Sequence, residues 1–350
     1  MKNLIITSTQ ESIGKTTFSI ALAMRLKKEG FNVGYFKPIT SKQDDEDAEY
    51  AKTMLNMKEA LNIIEPVVIS EWEYDTTDEE IEQHKKKIVD AYTILKKSYD
   101  FLLIESARTM KYLSFLHLSA RELAHMLDAR VLLLVSGKID ENFDNILLAV
   151  SYFNDINIPL IGAVLTLVSP EIVERFKTII CPILEERHKL EIIGLIPDRQ
   201  QLTAPTVAEV ADFVGAKFLY GKDHAQKLVE DYQIGAMEPE SALKFFRKTM
   251  HQAVITGGDR PALALAAMET DVSCLILTGG IYPPATVLSR AEEKKVPLLL
   301  VGGQTYDIVK KLTVNPLQGV IHPDQKDKIA EWDKVIDSIA YTKMIEKLKE

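Results

Sequence analysis

The N-terminal half of the chain alternates short apolar runs with longer stretches of helical spacing. The runs are rich in Val, Ile and Leu and occupy residues 4–7, 33–36, 101–105, 131–135, 160–165 and 192–196. They do not alternate with polar residues, which is typical of strands buried on both faces of a parallel sheet. Helical spacing predicts helices at 15–28, ending before Gly30, and at 78–97. The pattern predicts an α/β domain with a doubly wound, mostly parallel sheet.

The alternation begins again after Pro205. A helix is predicted at 206–214, followed by strands at 253–256, 274–278, 298–301 and 319–322. The helices that alternate with these strands are predicted at 261–269, 283–294, 306–312 and 333–349. A chain of 350 residues can bury two cores. We therefore expect two domains, 1–213 and a smaller α/β domain at 214–350.

Composition and charge exclude some classes of partner. The formal net charge of −9 disfavours nucleic acid and anionic membranes, because both require a positive surface. No apolar run is long enough to span a bilayer, and the first strand begins without a signal peptide. Cys181 and Cys274 lie far apart in apolar stretches, as reduced core residues do. These features predict a cytoplasmic protein that binds neither nucleic acid nor membrane.

A phosphate-binding loop is predicted between the first strand and the first helix. Residues 8–17 are Ser8-Thr9-Gln10-Glu11-Ser12-Ile13-Gly14-Lys15-Thr16-Thr17. Gly14 permits the turn, Lys15 can reach the β- and γ-phosphates, and Thr16 can ligate Mg²⁺. Thr9 stands where such loops usually carry their first glycine. The alternative is a tight turn with an exposed lysine, but the flanking strand and helix favour an ATP and Mg²⁺ site formed by residues 9–17.

Three further polar residues fall at or just beyond the ends of predicted strands. Lys37 follows the second strand, Asp47 comes shortly after it, and Glu105 ends the third. Ligands of α/β sheets bind at the carboxyl ends of strands, and Mg²⁺ takes one or two carboxylates there. Each residue also has a structural interpretation: the acidic run 44–49 suits a solvated helix start, and Lys37 suits a surface charge. Together with Lys15 and Thr16 they favour a metal–nucleotide site.

These segments resemble dethiobiotin synthetase and, more closely, the nucleotide-binding-like N-terminal region of long phosphate acetyltransferases. The resemblance is carried by residues 8–16, 34–39, 47–48, 103–105, 162–165, 194–197 and 202–205. It implies that Lys15 contacts phosphate and that Thr16, Asp47 and Glu105 surround Mg²⁺. It also implies that Lys37 faces the reacting carboxylate or phosphate, so that Lys15 and Lys37 are the catalytic candidates.

The chain also departs from these families. The glycine-rich turn that follows the third strand in dethiobiotin synthetases is replaced by Ser106-Ala107-Arg108-Thr109, so diaminopelargonate is not the expected substrate. Thr166 occupies the position that typically offers an asparagine to adenine, which leaves base selectivity open. Long phosphate acetyltransferases add a further catalytic domain, so we do not expect these 350 residues to transfer acetyl groups by themselves.

Three diglycines follow predicted strands of the second domain, at residues 257–258, 279–280 and 302–303. In a parallel sheet they would line one edge, where glycine lets backbone N–H groups approach an anion. Tight turns also require glycine, and it is the neighbouring Asp259 and Arg260 that favour a ligand site. The motif resembles the DRTGG domain over about residues 215–325. The predicted ligand residues are Gly258, Asp259, Arg260, Thr278, Gly279 and Gly280.

The expected protein binds Mg-ATP in its first domain and a small anionic ligand in its second. It resembles the regulatory half of a phosphate acetyltransferase, and the resemblance implies a homodimer. An ATP-dependent enzyme that activates a carboxylate, like dethiobiotin synthetase or the cobyrinate amidases, is the alternative. The amidases add a glutaminase cysteine on a strand-to-helix turn, whereas Cys274 lies within a predicted strand. A third possibility is a scaffold that does not hydrolyse ATP.

Overall fold

The computed structural model describes residues 2–41, 46–70, 75–137, 141–198, 202, 204–314 and 325–349. The chain forms two compact units. The first consists of Met1–Arg199 with Val320–Glu350, and the second of Gln200–Gly319. Within the described ranges, no helix is long and apolar enough to cross a membrane.

A six-stranded parallel sheet forms the centre of the first unit. Its strands are β1 (Lys2–Ser8), β2 (Val33–Phe36), β5 (Phe101–Glu105), β6 (Arg130–Ser136), β7 (Leu160–Val168) and β8 (Ile192–Pro197), in the order β2-β5-β1-β6-β7-β8. A separate two-stranded ladder joins β3 (Ile39–Thr40) to β4 (Val67–Val68). The strand order reverses at β1, between β5 and β6, which is the switch point where ligands of such sheets bind. The predicted parallel, doubly wound α/β fold is confirmed.

Helices cover this sheet. They are α1 (Lys15–Lys28), α2 (Glu46–Leu55), α3 (Leu61–Ile64), α4 (Asp78–Lys96), α5 (Ala120–Met126), α6 (Glu141–Asn154), α7 (Val173–Arg175) and α8 (Cys181–His188). Short 3₁₀ turns occur at Ser114–Leu116 and Pro170–Ile172, and one π-helical turn at Phe176–Ile180. The predicted bounds of α1 match the structure. Helix α4 begins as predicted because Thr77 and Glu80 form a reciprocal capping box.

The C-terminal segment belongs to the first unit, which corrects the prediction that residues 214–350 form one domain. It contains two helices, α14 (Lys326–Ser338) and α15 (Tyr341–Lys349), where a single helix at 333–349 was predicted. Helix α14 packs on α1, and α15 packs on β1, β7 and β8. The break lies at Ile339, which is extended, and the following Ala340 N–H donates to the Ile193 carbonyl over 2.7 Å. Buried Ile336, Met344 and Leu348 hold the segment against the sheet.

The second unit has a five-stranded sheet of its own. Its strands are β9 (Lys217–Tyr220), β10 (Asp231–Ile234), β11 (Gln252–Gly257), β12 (Val272–Thr278) and β13 (Leu298–Leu300), in the order β10-β11-β12-β13-β9 with only β9 antiparallel. Its helices are α9 (Val207–Val214), α10 (Pro239–Phe246), α11 (Pro261–Ala267), α12 (Ala285–Lys294) and α13 (Thr305–Val314), with a 3₁₀ turn at Lys222–His224.

The predicted boundary near residue 213 differs from the division found in the structure. Helix α9 was expected to close the first domain, but its buried face packs against strands β11 to β13 of the second unit. Val207, Val210 and Val214 provide that face, so the second unit begins before α9. The predicted strand at 319–322 lies outside the described residues.

Candidate nucleotide-binding site

The loop from Ser8 to Gly14 joins the central strand to α1 at the switch point of the sheet. Gly14 has φ +86°, a left-handed conformation that strongly favours glycine, and it directly precedes the first helical residue. No side chain among the described residues caps α1, and its first turn contains no acidic residue. The first N–H groups of a helix have no partner within the helix. This helix start is therefore suited to an anion.

Lys15 is buried beside this loop. Lys15 is 8% exposed, and its Nζ donates to Ser8 Oγ over 3.2 Å and to the Arg108 carbonyl. Both of these partners are uncharged. Burial lowers the pKa of Lys15, while the nearby Glu105 carboxylate raises it. Burying a cation without a directly bonded anion is costly, so a phosphate group would supply the missing partner.

A second buried contact joins Thr16, Glu105 and Tyr35. Thr16 Oγ1 donates to Glu105 Oε1 over 2.9 Å, and the Tyr35 hydroxyl donates to Glu105 Oε2 over 2.8 Å. Burial raises the pKa of Glu105, the nearby Asp47 raises it further, and the cations Lys37 and Lys15 oppose this shift. The carboxylate at the end of β5 thus has both oxygens oriented by hydroxyl donors.

Lys37 and Asp47 form the third contact of the site. Lys37 Nζ lies 2.7 Å from Asp47 Oδ2, with the lysine side chain 9% exposed and the aspartate side chain 34% exposed. The backbone N–H of Lys37 donates to the Ile64 carbonyl over 2.9 Å, which fixes the segment after β2. Lys37, Asp47 and Glu105 all influence the pKa of Lys15. The structure therefore brings together the side chains that the sequence predicted at the strand ends.

The oxygen donors around Thr16 and Glu105 fit Mg²⁺ once phosphate oxygens are added. Mg²⁺ is commonly held by one or two carboxylates, substrate phosphates and several waters. In the described part of the chain, no group of three or more His, Cys, Asp or Glu side chains could hold a metal. A metal held by Thr16 and Glu105 would take its remaining ligands from phosphate and water oxygens. Thr9 Oγ1, which is buried and has no hydrogen-bond partner among the described residues, is a further available polar atom beside the loop.

Contacts that were not predicted from the sequence hold the phosphate loop and Glu105 in place. Gln10 Nε2 donates to Asn142 Oδ1, and the buried Asn142 donates through Nδ2 to the Ser136 carbonyl over 2.6 Å. Tyr35 was missed as well, although its sequence position carried a signal. A tyrosine in a strand buried on both faces needs a partner for its hydroxyl. Asn142 carried no such signal, because an asparagine near a helix start is common.

The remaining residues predicted to bind nucleotide occupy different environments. Ile13 and Thr17 are buried, whereas Glu11 and Ser12 are exposed, Ser12 with φ +53°. Thr166 lies within β7, 3% exposed, and its hydroxyl is 3.5 Å from the Val135 carbonyl. The Thr166 hydroxyl thus has a partner within the sheet, and its contact with adenine remains a sequence-based prediction.

A cavity of about 440 Å³ adjoins the phosphate loop. Glu11 lines it on the side of the loop, and Ser70 and Thr109 add hydroxyl groups. Residues 111–116 complete much of the wall, including Tyr112 and the largely exposed Phe115. The cavity can hold a small molecule beside the loop.

In the second unit, the diglycines follow β11, β12 and β13, which are adjacent parallel strands. They lie at one edge of the sheet, as predicted, but the N–H groups of Gly258, Gly279 and Gly280 have partners within the unit. Gly258 N donates to the Thr278 carbonyl over 3.2 Å, Gly279 N to Gly303 over 2.9 Å, and Gly280 N to Val301 over 2.9 Å. These N–H groups therefore hold the turns against each other, and the expectation that they are turned towards an anion is not met.

Side chains at the same edge differ in their availability. A Cβ at Gly258 would lie 1.9 Å from the Ile281 carbonyl oxygen, so close backbone approach requires glycine there. Thr278 is buried and its hydroxyl lies 2.6 Å from that of Thr305. Asp259 and Arg260 are exposed, and Arg260 Nη1 donates to the Gly235 carbonyl over 3.0 Å. Asp259 and Arg260 are therefore accessible to a ligand at this edge.

A central parallel strand that leads through a left-handed glycine into an uncapped helix, with a buried lysine at its start, defines a P-loop α/β protein. The chain belongs to the AAA domain family, whose model matches residues 2–206, and a DRTGG domain follows at residues 209–314. The resemblance inferred from the motifs is thereby confirmed.

The similarity to phosphate acetyltransferases extends over both units. The phosphate acetyltransferase of Nitratidesulfovibrio vulgaris is 26% identical over 362 residues, covering 96% of this chain and 50% of the relative. The ATP-dependent dethiobiotin synthetase BioD of Methanocaldococcus jannaschii is 36% identical over 111 residues, covering 30% of this chain and 51% of the relative. The MinC:MinD cell division protein complex of Aquifex aeolicus aligns with a TM-score of 0.41 at 16% identity, covering 58% of this chain and 84% of that one. The chain spans about half the length of the phosphate acetyltransferases it matches.

Proposed function

We propose that the first unit binds ATP with Mg²⁺ and that the chain acts as a nucleotide-responsive regulatory module. The observation that carries this proposal is Lys15, a buried cation whose hydrogen-bond partners in the described residues are neutral. Phosphate oxygens at the start of α1 would give this cation a counter-charge and satisfy the free N–H groups of the helix.

The other residues of the site have distinct roles in this proposal. Thr16 and Glu105 hold Mg²⁺ together with phosphate oxygens, and Thr9 Oγ1 gains a partner in the loop. Bound Mg²⁺ neutralises charge on the phosphates. The ion pair of Lys37 with Asp47 keeps a second cation at the carboxyl edge of the sheet, where it can face the terminal phosphate or a reacting carboxylate.

The relatives support ATP as the nucleotide and regulation as the role. One relative is an ATP-dependent dethiobiotin synthetase, which matches 30% of this chain. The phosphate acetyltransferases match both units over about half of their own length, which supports a module that accompanies catalysis. The resemblance also implies a homodimer, for which light scattering should give twice the monomer mass.

A thermal-shift titration tests nucleotide binding. Mg-ATP at 100 times its dissociation constant should stabilise the chain by about 2.7 kcal/mol through mass action. Lys15→Ala should weaken binding by about 10–100-fold, because a hydrogen bond to a charged group contributes roughly 1.5–3 kcal/mol. Lys177→Ala is the control, since Lys177 pairs with Glu174 on the surface. Equal shifts for wild type and Lys15→Ala would refute the role of Lys15.

A second candidate function is ATP-dependent activation of a carboxylate, which the cavity beside the loop favours. Its volume of about 440 Å³ is enough for a small organic acid, and Glu11 and Thr109 connect it to the phosphate loop. A panel of carboxylic acids should then include one that stimulates phosphate release from Mg-ATP. Release that no carboxylate stimulates would favour the regulatory module.

We also propose that the second unit takes a small anionic ligand at Asp259 and Arg260. This proposal depends on the exposed Arg260, since the N–H groups of Gly258, Gly279 and Gly280 are occupied. Nucleotides, acyl phosphates and coenzyme A derivatives should be screened by calorimetry. Arg260→Ala should weaken a hit roughly 30-fold, equivalent to about 2 kcal/mol. Arg290→Ala, which removes a surface arginine paired with Glu269, should leave binding unchanged.

A further inference from the structure

The loop that follows β5 places Arg108 against the phosphate loop. The Arg108 carbonyl accepts hydrogen bonds from Lys15 Nζ and, over 3.2 Å, from Ser8 Oγ. Its φ is +41°, a left-handed conformation that non-glycine residues rarely adopt. Such strain persists only where the surrounding structure enforces it, and it is common at functional sites. The main chain of Arg108 is thus held beside the lysine of the phosphate site.

The side chain of Arg108 extends towards the same loop. Its Nη1 lies 3.8 Å from Glu11 Oε1, and its Cζ lies 5.0 Å from the ring centroid of Tyr112. The arginine and glutamate side chains are 31% and 58% exposed, so their ion pair is a weak, partly solvated one. The Tyr112 ring orients the guanidinium, and the distant carboxylate can be exchanged for a stronger anion.

We propose that Arg108 contacts the terminal phosphate of the bound nucleotide and makes the site selective for triphosphates. This inference rests on the proposed binding of ATP. Lys15 is expected to reach the β- and γ-phosphates, and Lys15 is hydrogen bonded to the Arg108 main chain. The Arg108 guanidinium can therefore reach the γ-phosphate and bind its oxygens bidentately in place of Glu11. An arginine supplied by the same chain can stabilise γ-phosphate charge in this way.

The ratio of the dissociation constants for ADP and ATP, measured by calorimetry with Mg²⁺ on the full chain, tests the inference. In Arg108→Ala this ratio should fall at least about tenfold, because the charge-assisted contact exists only with the third phosphate. Arg108→Gly should behave in the same way, and glycine adopts φ +41° without strain, so this variant keeps the loop folded.

Arg121→Ala is the matched control. Arg121 lies 4.4 Å from the Tyr152 ring centroid and pairs with Glu122 and Asp155, so it has the same kind of surroundings in the same unit. Its removal should leave the ratio unchanged. An unchanged ratio in both Arg108 variants, or equal losses of ADP and ATP affinity, would overturn the inference while leaving nucleotide binding intact. A wild-type chain that binds no nucleotide would instead refute the proposed function and this inference with it.

Discussion

Gly194 on the edge strand β8 provides a sensitive test of where the C-terminal helices pack. A Cβ at this position would lie 2.2 Å from Ile339 Cγ2 and 2.6 Å from Ile339 Cβ. The backbone of Gly194 is not left-handed, so a substitution there acts through packing alone. Ile339 has little freedom to retreat, because the next residue, Ala340, donates its N–H to the neighbouring Ile193 carbonyl.

Gly194→Ala should therefore destabilise the first unit by about 1–3 kcal/mol, the usual cost of adding a methyl group to a packed interior. In a unit of this size, each kcal/mol lowers the melting temperature by roughly 2–4 °C. Ile339→Ala should also destabilise the unit, through lost burial and a cavity. The double variant should be more stable than the sum of the two changes predicts, because the new methyl group occupies space that Ile339 has left.

Urea unfolding followed by the fluorescence of Trp332 measures these effects. Trp332 is buried in α14, and a Trp72→Phe background removes the other tryptophan. If the Gly194→Ala variant is as stable as the parent protein, Ile339 does not pack against β8. Simple additivity in the double variant would contradict the proposed contact as well.

Three further predictions concern the Tyr35 hydroxyl, the Cys181 thiol and the C-terminal helices. Tyr35→Phe should weaken the Mg²⁺ dependence of nucleotide binding by about tenfold or more, because the Tyr35 hydroxyl orients Glu105. The control Tyr99→Phe, which removes a similar bond to Glu59, should leave this dependence unchanged. Calorimetry with Mg²⁺ or with EDTA distinguishes the two variants. Burial raises the pKa of Cys181 to about 11 from an ordinary 9.0. At pH 8 the alkylation of Cys181 should therefore be about a hundredfold slower than that of a free thiol, and it should accelerate as the pH rises towards 11. Rapid alkylation at pH 8 would contradict this prediction. A fragment of residues 1–213 should bind a hydrophobic dye because it lacks α14 and α15, while residues 200–319 should unfold cooperatively; a cooperative 1–213 fragment would argue against the assignment of the C-terminal helices.

Local patterns were sufficient to predict the six strands of the first sheet and β11, β12 and β13 of the second, whereas β9 and β10 were missed. Uninterrupted apolar runs located β1, β2 and β5 to within a few residues, because strands buried on both faces leave no polar position inside them. Helix α1 was predicted at about 15–28, which matches the structure, since Gly14 and Gly30 lie close to its two ends.

Contacts between distant segments could not be predicted in the same way. The bond from Tyr35 to Glu105 requires β2 and β5 to be neighbours, and the strand order is not encoded in either segment. The pattern of residues 333–349 predicted a helix but not the sheet it covers, so its packing on β1, β7 and β8 was missed. The diglycines were correctly placed at one edge, yet only the ladder between adjacent turns shows that Gly258, Gly279 and Gly280 use their N–H groups internally.

Calorimetric titration of the full chain with Mg-ATP is the most direct test of the central claim. Mg-ATP should bind at the phosphate loop, with affinity reduced by about 10–100-fold in a folded Lys15→Ala variant. Binding should also weaken when EDTA removes Mg²⁺, because Thr16 and Glu105 then hold no metal against the phosphates. A folded wild-type chain that releases no heat with any nucleoside triphosphate, with or without Mg²⁺, would contradict the account.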